Sequence, residues 1–286
     1  MRLYAQAKET ATIMKPIFGY ILTFAAAAMI VASCSTVNNA IKSGDAKFAY
    51  DQALMLYDKG KWEQASTLFE ACRHVYMGSP REDSLSYYNA RCKFKSRDYD
   101  VAATQLDEFR RKFGRSAFIE DAEGMYALCY YFMSPPPERD QTLTSKAIIA
   151  ITEFISRYPE SENVDEFQEM LDELSKRLMK KSYMNAYTYY KIGRYKSAIV
   201  AFKNAIKQHP TSPHIEDMMY YMTVSAYRLA ANSVESKQMD RYIAMLDNYY
   251  SYLAEYPESK RLNELERMAE NAKDYIDKHR KTSDVE

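Results

Sequence analysis

Four histidines, His74, His209, His214 and His279, and four cysteines, Cys34, Cys72, Cys92 and Cys129, are the side chains with the widest chemical reach in this sequence. Metal binding and nucleophilic catalysis need them at set spacings, such as two histidines one turn apart or a C-x-x-C pair. No two of the histidines have ligand spacing on one helix face, and His209 and His214 flank a proline, where they read as turn or cap residues. The sequence holds no Gly-rich phosphate loop, nucleophile elbow or C-x-x-C, and its carboxylates are scattered as i,i+4 partners on solvated helix faces would be. No enzyme, metal site or cofactor is expected. Binding remains. Tyr50, Tyr57, Tyr87 and Phe94 around Arg91 are placed to form a peptide groove. Aromatic rings supply contact area at low entropic cost, and the arginine fork matches a carboxylate. The competing reading is that these tyrosines pack between neighbouring helices.

The elements that must position these residues are helices. In 286 residues there are only 7 glycines and 9 prolines but 26 tyrosines and 16 methionines, which favours helix throughout over sheet with tight turns. From Tyr189 to Pro210 the chain reads as a helix end, a turn at Gly193 and a second helix closed by proline. Its Tyr195, Ala198, Phe202 and Ala205 alternate large and small, as two interlocking helices require. This is the order of a tetratricopeptide repeat. Leu56, Gly60, Trp62, Ala65, Phe69 and Cys72 repeat it, as do Lys93, Arg97, Tyr99, Ala102, Leu106 and Phe109, with Arg97 in the turn-glycine place. That turn is expected to take a conformation an ordinary side chain accepts. Ala147, Ile151 and Phe154, and Met245, Tyr249 and Tyr252, mark two further second helices.

A terminal signature fixes the count. Phe113-Gly114-Arg115-Ser116, Tyr158-Pro159-Glu160-Ser161, His209-Pro210-Thr211-Ser212 and Tyr256-Pro257-Glu258-Ser259 each stop a helix, and Tyr76-Met77-Gly78-Ser79 is a degenerate first member. The serine is expected to cap the helix that follows. Helix pairs are predicted at about 45–76, 82–113, 117–158, 162–209 and 214–256, with a last helix over about 259–280. The fold class is all-α, an α-solenoid of about five tetratricopeptide-like pairs with a capping C-terminal helix. Repeats 1–3 are assigned to residues 45–161 and repeats 4–5 with the cap to 162–280, the helix from Val164 to Ile192 rigidly joining the halves; 281–286 is expected to be a disordered tail.

Residues 1–33 read as a signal peptide, with 1–13 an upstream extension or a long n-region. An apolar run from Pro16 to Ala32 precedes Val31-Ala32-Ser33-Cys34, the layout of a lipobox whose cysteine carries a lipid; the alternative is an ordinary cleavage site with an incidental cysteine. Residues 34–44 would then be a lipidated tether, and the domain would lie outside the cytoplasm on a membrane. Of the other cysteines, a Cys72–Cys92 bridge and buried free thiols are both open, the latter favoured by their apolar neighbours. Lys+Arg and Asp+Glu both total 39, so charge offers no case for a nucleic-acid partner.

The lipobox cysteine, the tether, five pairs with tyrosine-proline-x-serine endings and the C-terminal helix together resemble the BamD family of outer-membrane assembly lipoproteins, from Cys34 to about residue 280. The resemblance implies a lipid-anchored, periplasm-facing outer-membrane protein that helps fold and insert β-barrel proteins. Its N-terminal repeats would meet unfolded outer-membrane protein substrates, and its C-terminal repeats would hold the barrel-forming assembly subunit. Only Cys34 is carried over as a functional residue. Arg97, the Pro135-Pro136-Pro137 insertion and the Tyr76 ending depart from the regular pattern. Two other readings are a lipoprotein scaffold for peptidoglycan machinery and a soluble-ligand-binding lipoprotein; against sugar, the one tryptophan, Trp62, sits at an internal repeat position.

Overall fold

The computed structural model describes residues 37–283, and every regular element among them is helical. A short helical segment at 37–42 precedes α1 (Ala46–Asp58) and α2 (Trp62–Tyr76). There follow α3 (Glu82–Lys95), α4 (Tyr99–Lys112), α5 (Ile119–Met133) and α6 (Thr142–Arg157). Then come α7 (Val164–Lys191), α8 (Tyr195–Gln208), α9 (Ile215–Ala231), α10 (Glu235–Glu255) and α11 (Leu262–Ser283). These are the ten expected repeat helices and the closing helix.

The chain divides into two compact units between Met133 and Ser134. The division falls inside the third pair rather than after residue 161, and its cause is local. Ser134-Pro135-Pro136-Pro137 cannot continue α5, and the loop is tied forward onto α7. Arg177 donates to the Ser134 carbonyl (3.0 Å) and hydroxyl (2.9 Å), and Lys181 donates to the Glu138 carbonyl (3.1 Å). The long helix α7 lies wholly within the second unit. At the C-terminus α11 runs to Ser283, into the stretch expected to be disordered.

The repeat positions are the core. Ala65, Phe69 and Cys72 in α2 and Ala102, Leu106 and Phe109 in α4 are buried in the first unit. Ala147, Ile151 and Phe154 in α6, Ala198, Phe202 and Ala205 in α8, and Met245, Tyr249 and Tyr252 in α10 are buried in the second. Each buried aromatic removes roughly 2–3 kcal/mol worth of apolar surface from water, and alanine one turn away admits it. Cys72, Cys92 and Cys129 are free and buried, and burial pushes their thiols up to about 11, about 12 and about 12.

The turns depart from expectation in an informative way. Gly60 and Gly193 have φ of 71° and 73°, and Arg97 has φ of 63°, the same left-handed turn. In all three, two bonds close the preceding helix: Gly60, Arg97 and Gly193 N–H donate to the Tyr57, Phe94 and Tyr190 carbonyls, and the next residue's N–H to Leu56, Lys93 and Tyr189. Retaining both bonds outweighs the roughly 1–2 kcal/mol that a side chain costs there. The signature serines also differ from plain caps. Ser79, Ser116, Ser161, Ser212 and Ser259 each accept through Oγ from the N–H two residues on, closing a turn before the helix begins. The degenerate Tyr76 ending thus behaves as the others do.

The segment expected as a free tether is folded from residue 37 onward. Ala40 is buried in the first unit's core with Val37 packed alongside, and Ser43 Oγ donates to the Ala40 carbonyl at 2.7 Å. Asp45 then caps α1 by accepting from the Lys47 and Phe48 N–H groups. Cys34, with the rest of residues 1–36, lies outside the described residues.

Candidate functional site

Arg91 and the four aromatic residues expected around it form three contacts rather than one wall. Tyr50 and Tyr87 are 37 positions apart, one repeat, and play the same part. Each reaches to the first helix of the next pair at an offset of 34 residues: Tyr50 Oη lies 3.0 Å from Ser84 Oγ, and Tyr87 Oη donates to Asp121. Both rings are buried, Tyr87 at 1% exposure. Tyr87 stacks on Phe118 at 4.4 Å and meets Tyr88 edge-on at 5.3 Å. These two tyrosines pack between successive repeats, the competing reading of the sequence, and do not line an open surface.

Tyr57 and Phe94 are likewise equivalent, each beside the aromatic that opens the second helix of its pair. Tyr57 meets Trp62 edge-on at 5.1 Å, and Phe94 meets Tyr99 at 5.6 Å. Both are half-buried. Phe132 of α5 adds a 49% exposed ring, stacked on Tyr99 at 5.0 Å and 6.2 Å from Phe94.

Arg91 lies between Tyr57 and Tyr87. Its guanidinium sits 5.9 Å from the Tyr57 ring centroid and 5.6 Å from that of Tyr87. Nη1 donates to Tyr87 Oη at 2.8 Å and pairs with Asp121 at 3.6 Å. Lost hydration pushes the Asp121 carboxyl above its ordinary value, and burial raises the Tyr57 phenol, with Arg91 opposing. The arginine is one-third exposed and Asp121 about half. A ligand carboxylate arriving here would therefore compete with Asp121 for Arg91 and not enter an unfilled cation site. Asp121 and Phe132 were missed in the sequence, yet the offset of 34 from Tyr50 to Ser84, carried one repeat on, points to Asp121.

Among the described residues no cluster of three or more His, Cys, Asp or Glu side chains could hold a metal, and no helix is long and apolar enough to cross a membrane. The chemistry on offer is recognition: aromatic shelf, cation and carboxylate.

A model of the outer membrane lipoprotein family YfiO matches residues 42–186, and a tetratricopeptide-repeat model matches 183–212. The outer membrane protein assembly factor BamD of Caulobacter vibrioides is 26% identical over 183 residues, 63% of this chain and 59% of that protein. The chain thus spans about three fifths of that relative's length. BamD of Rickettsia prowazekii is 22% identical over 209 residues, 71% of this chain and 82% of that one. With half of its length matched by the family model, on the same residues that build the helix pairs, the chain belongs to the YfiO family of outer membrane lipoproteins, the BamD family that its sequence resembles.

Proposed function

We propose that this chain is a non-catalytic scaffold of outer-membrane protein assembly, anchored through lipid on Cys34 and facing the periplasm. Family membership over residues 42–186 carries the reading, supported by relatives named as assembly factors. In this proposal the first unit meets unfolded outer-membrane protein substrates at the shelf of Tyr57, Phe94 and Phe132 beside Arg91. The second unit holds the barrel-forming subunit. An exposed aromatic shelf accepts extended apolar side chains in many registers, while a cation shared with Asp121 makes a substrate carboxylate compete for its place, which suits transient capture.

Arg91→Glu tests the substrate side. It removes the cation and sets two carboxylates together, so crosslinking of unfolded barrel substrates to the first unit should fall about tenfold or more, the loss of one charged hydrogen bond. The barrel subunit should stay bound. Unchanged substrate crosslinking in a variant that melts like the parent would rule out Arg91 as a contact.

A further inference from the structure

The chain is neutral overall, yet its charge is unevenly distributed. From Leu174 to Ile215 there is no Asp or Glu, where the chain average of 39 acids in 286 residues would place about six, and there are nine Lys or Arg. This run covers the end of α7, all of α8 and the loop after it. Lys196, Val200, Lys203 and Lys207 follow one another at i, i+4, i+7 and i+11, one face of α8, and all four are exposed. Lys191 and Arg194, also exposed, extend the charge to the turn, beside Ile192 at 62% and Tyr189 at 44% exposure. None of these five basic side chains makes an ion pair among the described residues. The opposite face of α8 is spent on the core through Ala198, Phe202 and Ala205.

We infer that this outer face of α8 binds anionic phospholipid headgroups, a second membrane contact in addition to the acyl anchor. Three observations choose lipid over an acidic protein surface. The charges are four lysines and one arginine, and lysine is depleted in protein interfaces whereas arginine is enriched. Mobile ammonium groups suit a fluid headgroup layer, which offers charge without fixed geometry. The exposed Tyr189, Ile192 and Val200 among the lysines supply the aromatic and apolar side chains that settle at the edge of the acyl region. Polybasic clusters of this size bind anionic membranes and fall off with salt. The inference rests on the membrane-anchored reading above but not on the identity of the assembly partner.

The test uses purified residues 35–286, which carry neither the signal peptide nor an acyl chain, and co-sedimentation with vesicles of phosphatidylcholine alone or with phosphatidylglycerol added. Binding should appear on the anionic vesicles at low salt, at least about tenfold above the neutral ones, and be lost at high salt. K196E/K203E/K207E should lower it by at least about tenfold. K237E/K260E/R267E, the same charge change on α10, the following loop and α11, should leave most of it. Equal binding to both vesicle types, or equal loss in both triple variants, overturns the inference. So does a K196E/K203E/K207E chain that loses a protein partner in membrane extracts while keeping its vesicle binding. None of these results bears on recovery of the barrel subunit by the parent chain, so failure here is separable from failure of the proposed function.

Discussion

Tyr87→Ala should cost the first unit about 3–5 kcal/mol, the usual loss for emptying the site of a buried ring. Tyr87 is one of the largest fully buried side chains, held between Phe118, Tyr88 and Phe109. Its removal also leaves Asp121 without the donated O–H and Arg91 without its acceptor. Domain stabilities of about 5–15 kcal/mol leave little margin for such a loss, so thermal or denaturant unfolding should show the first unit melting far below the second. Tyr57→Ala is a fair comparison, because that ring is half-buried and outside the Tyr87–Asp121 bond; its cost should be clearly smaller. Tyr87→Phe keeps the ring and isolates the hydroxyl, for which about 1–2 kcal/mol is expected. A Tyr87→Ala chain that unfolds like the parent would contradict the placement of Tyr87 in the core.

Exporting residues 35–286 behind a cleavable signal without a lipobox is expected to move the protein almost entirely from the membrane to the soluble fraction. Each buried acyl methylene contributes about 0.8 kcal/mol, so several chains together outweigh any surface contact. The structure adds a consequence. Ala40 lies in the first unit's core with Val37 packed against it, and only Ser35 and Thr36 stand between Val37 and Cys34. A span of three residues reaches at most about 10 Å. The anchor would hold the first unit close to the bilayer surface, and lengthening that span with a flexible insert would weaken partner contacts without releasing the protein. Fractionation reads the first effect, and an exported 35–286 chain that stays with the membrane would refute lipid on Cys34 as the anchor.

The repeat helices are legible because their signals are local. Gly60 and Gly193, the alternation of alanine with rings, and the serine-ended turns each act within a few residues, and the ten repeat helices form where those signals lie. Arg97 was misjudged because a single position shows the preference of its side chain but not the strength of the two backbone bonds that hold its turn. Tyr50 and Tyr57 look alike in sequence, and what separates them is the offset of 34 residues that turns Tyr50 and Tyr87 toward the next repeat. That contact belongs to stacking, which one repeat cannot reveal. The boundary at Met133 depended on where Arg177 and Lys181 reach, across 43 residues. The basic run from Leu174 to Ile215 stood in plain view, but the equal totals of 39 and 39 concealed it.

Affinity purification of the tagged, lipidated chain from gently detergent-solubilised membranes tests membership in a working assembly complex of the outer membrane. A large barrel protein with periplasmic repeats should be recovered with it in constant proportion. Reproducible absence of such a protein, from preparations in which the tagged chain is intact and membrane-bound, would contradict it.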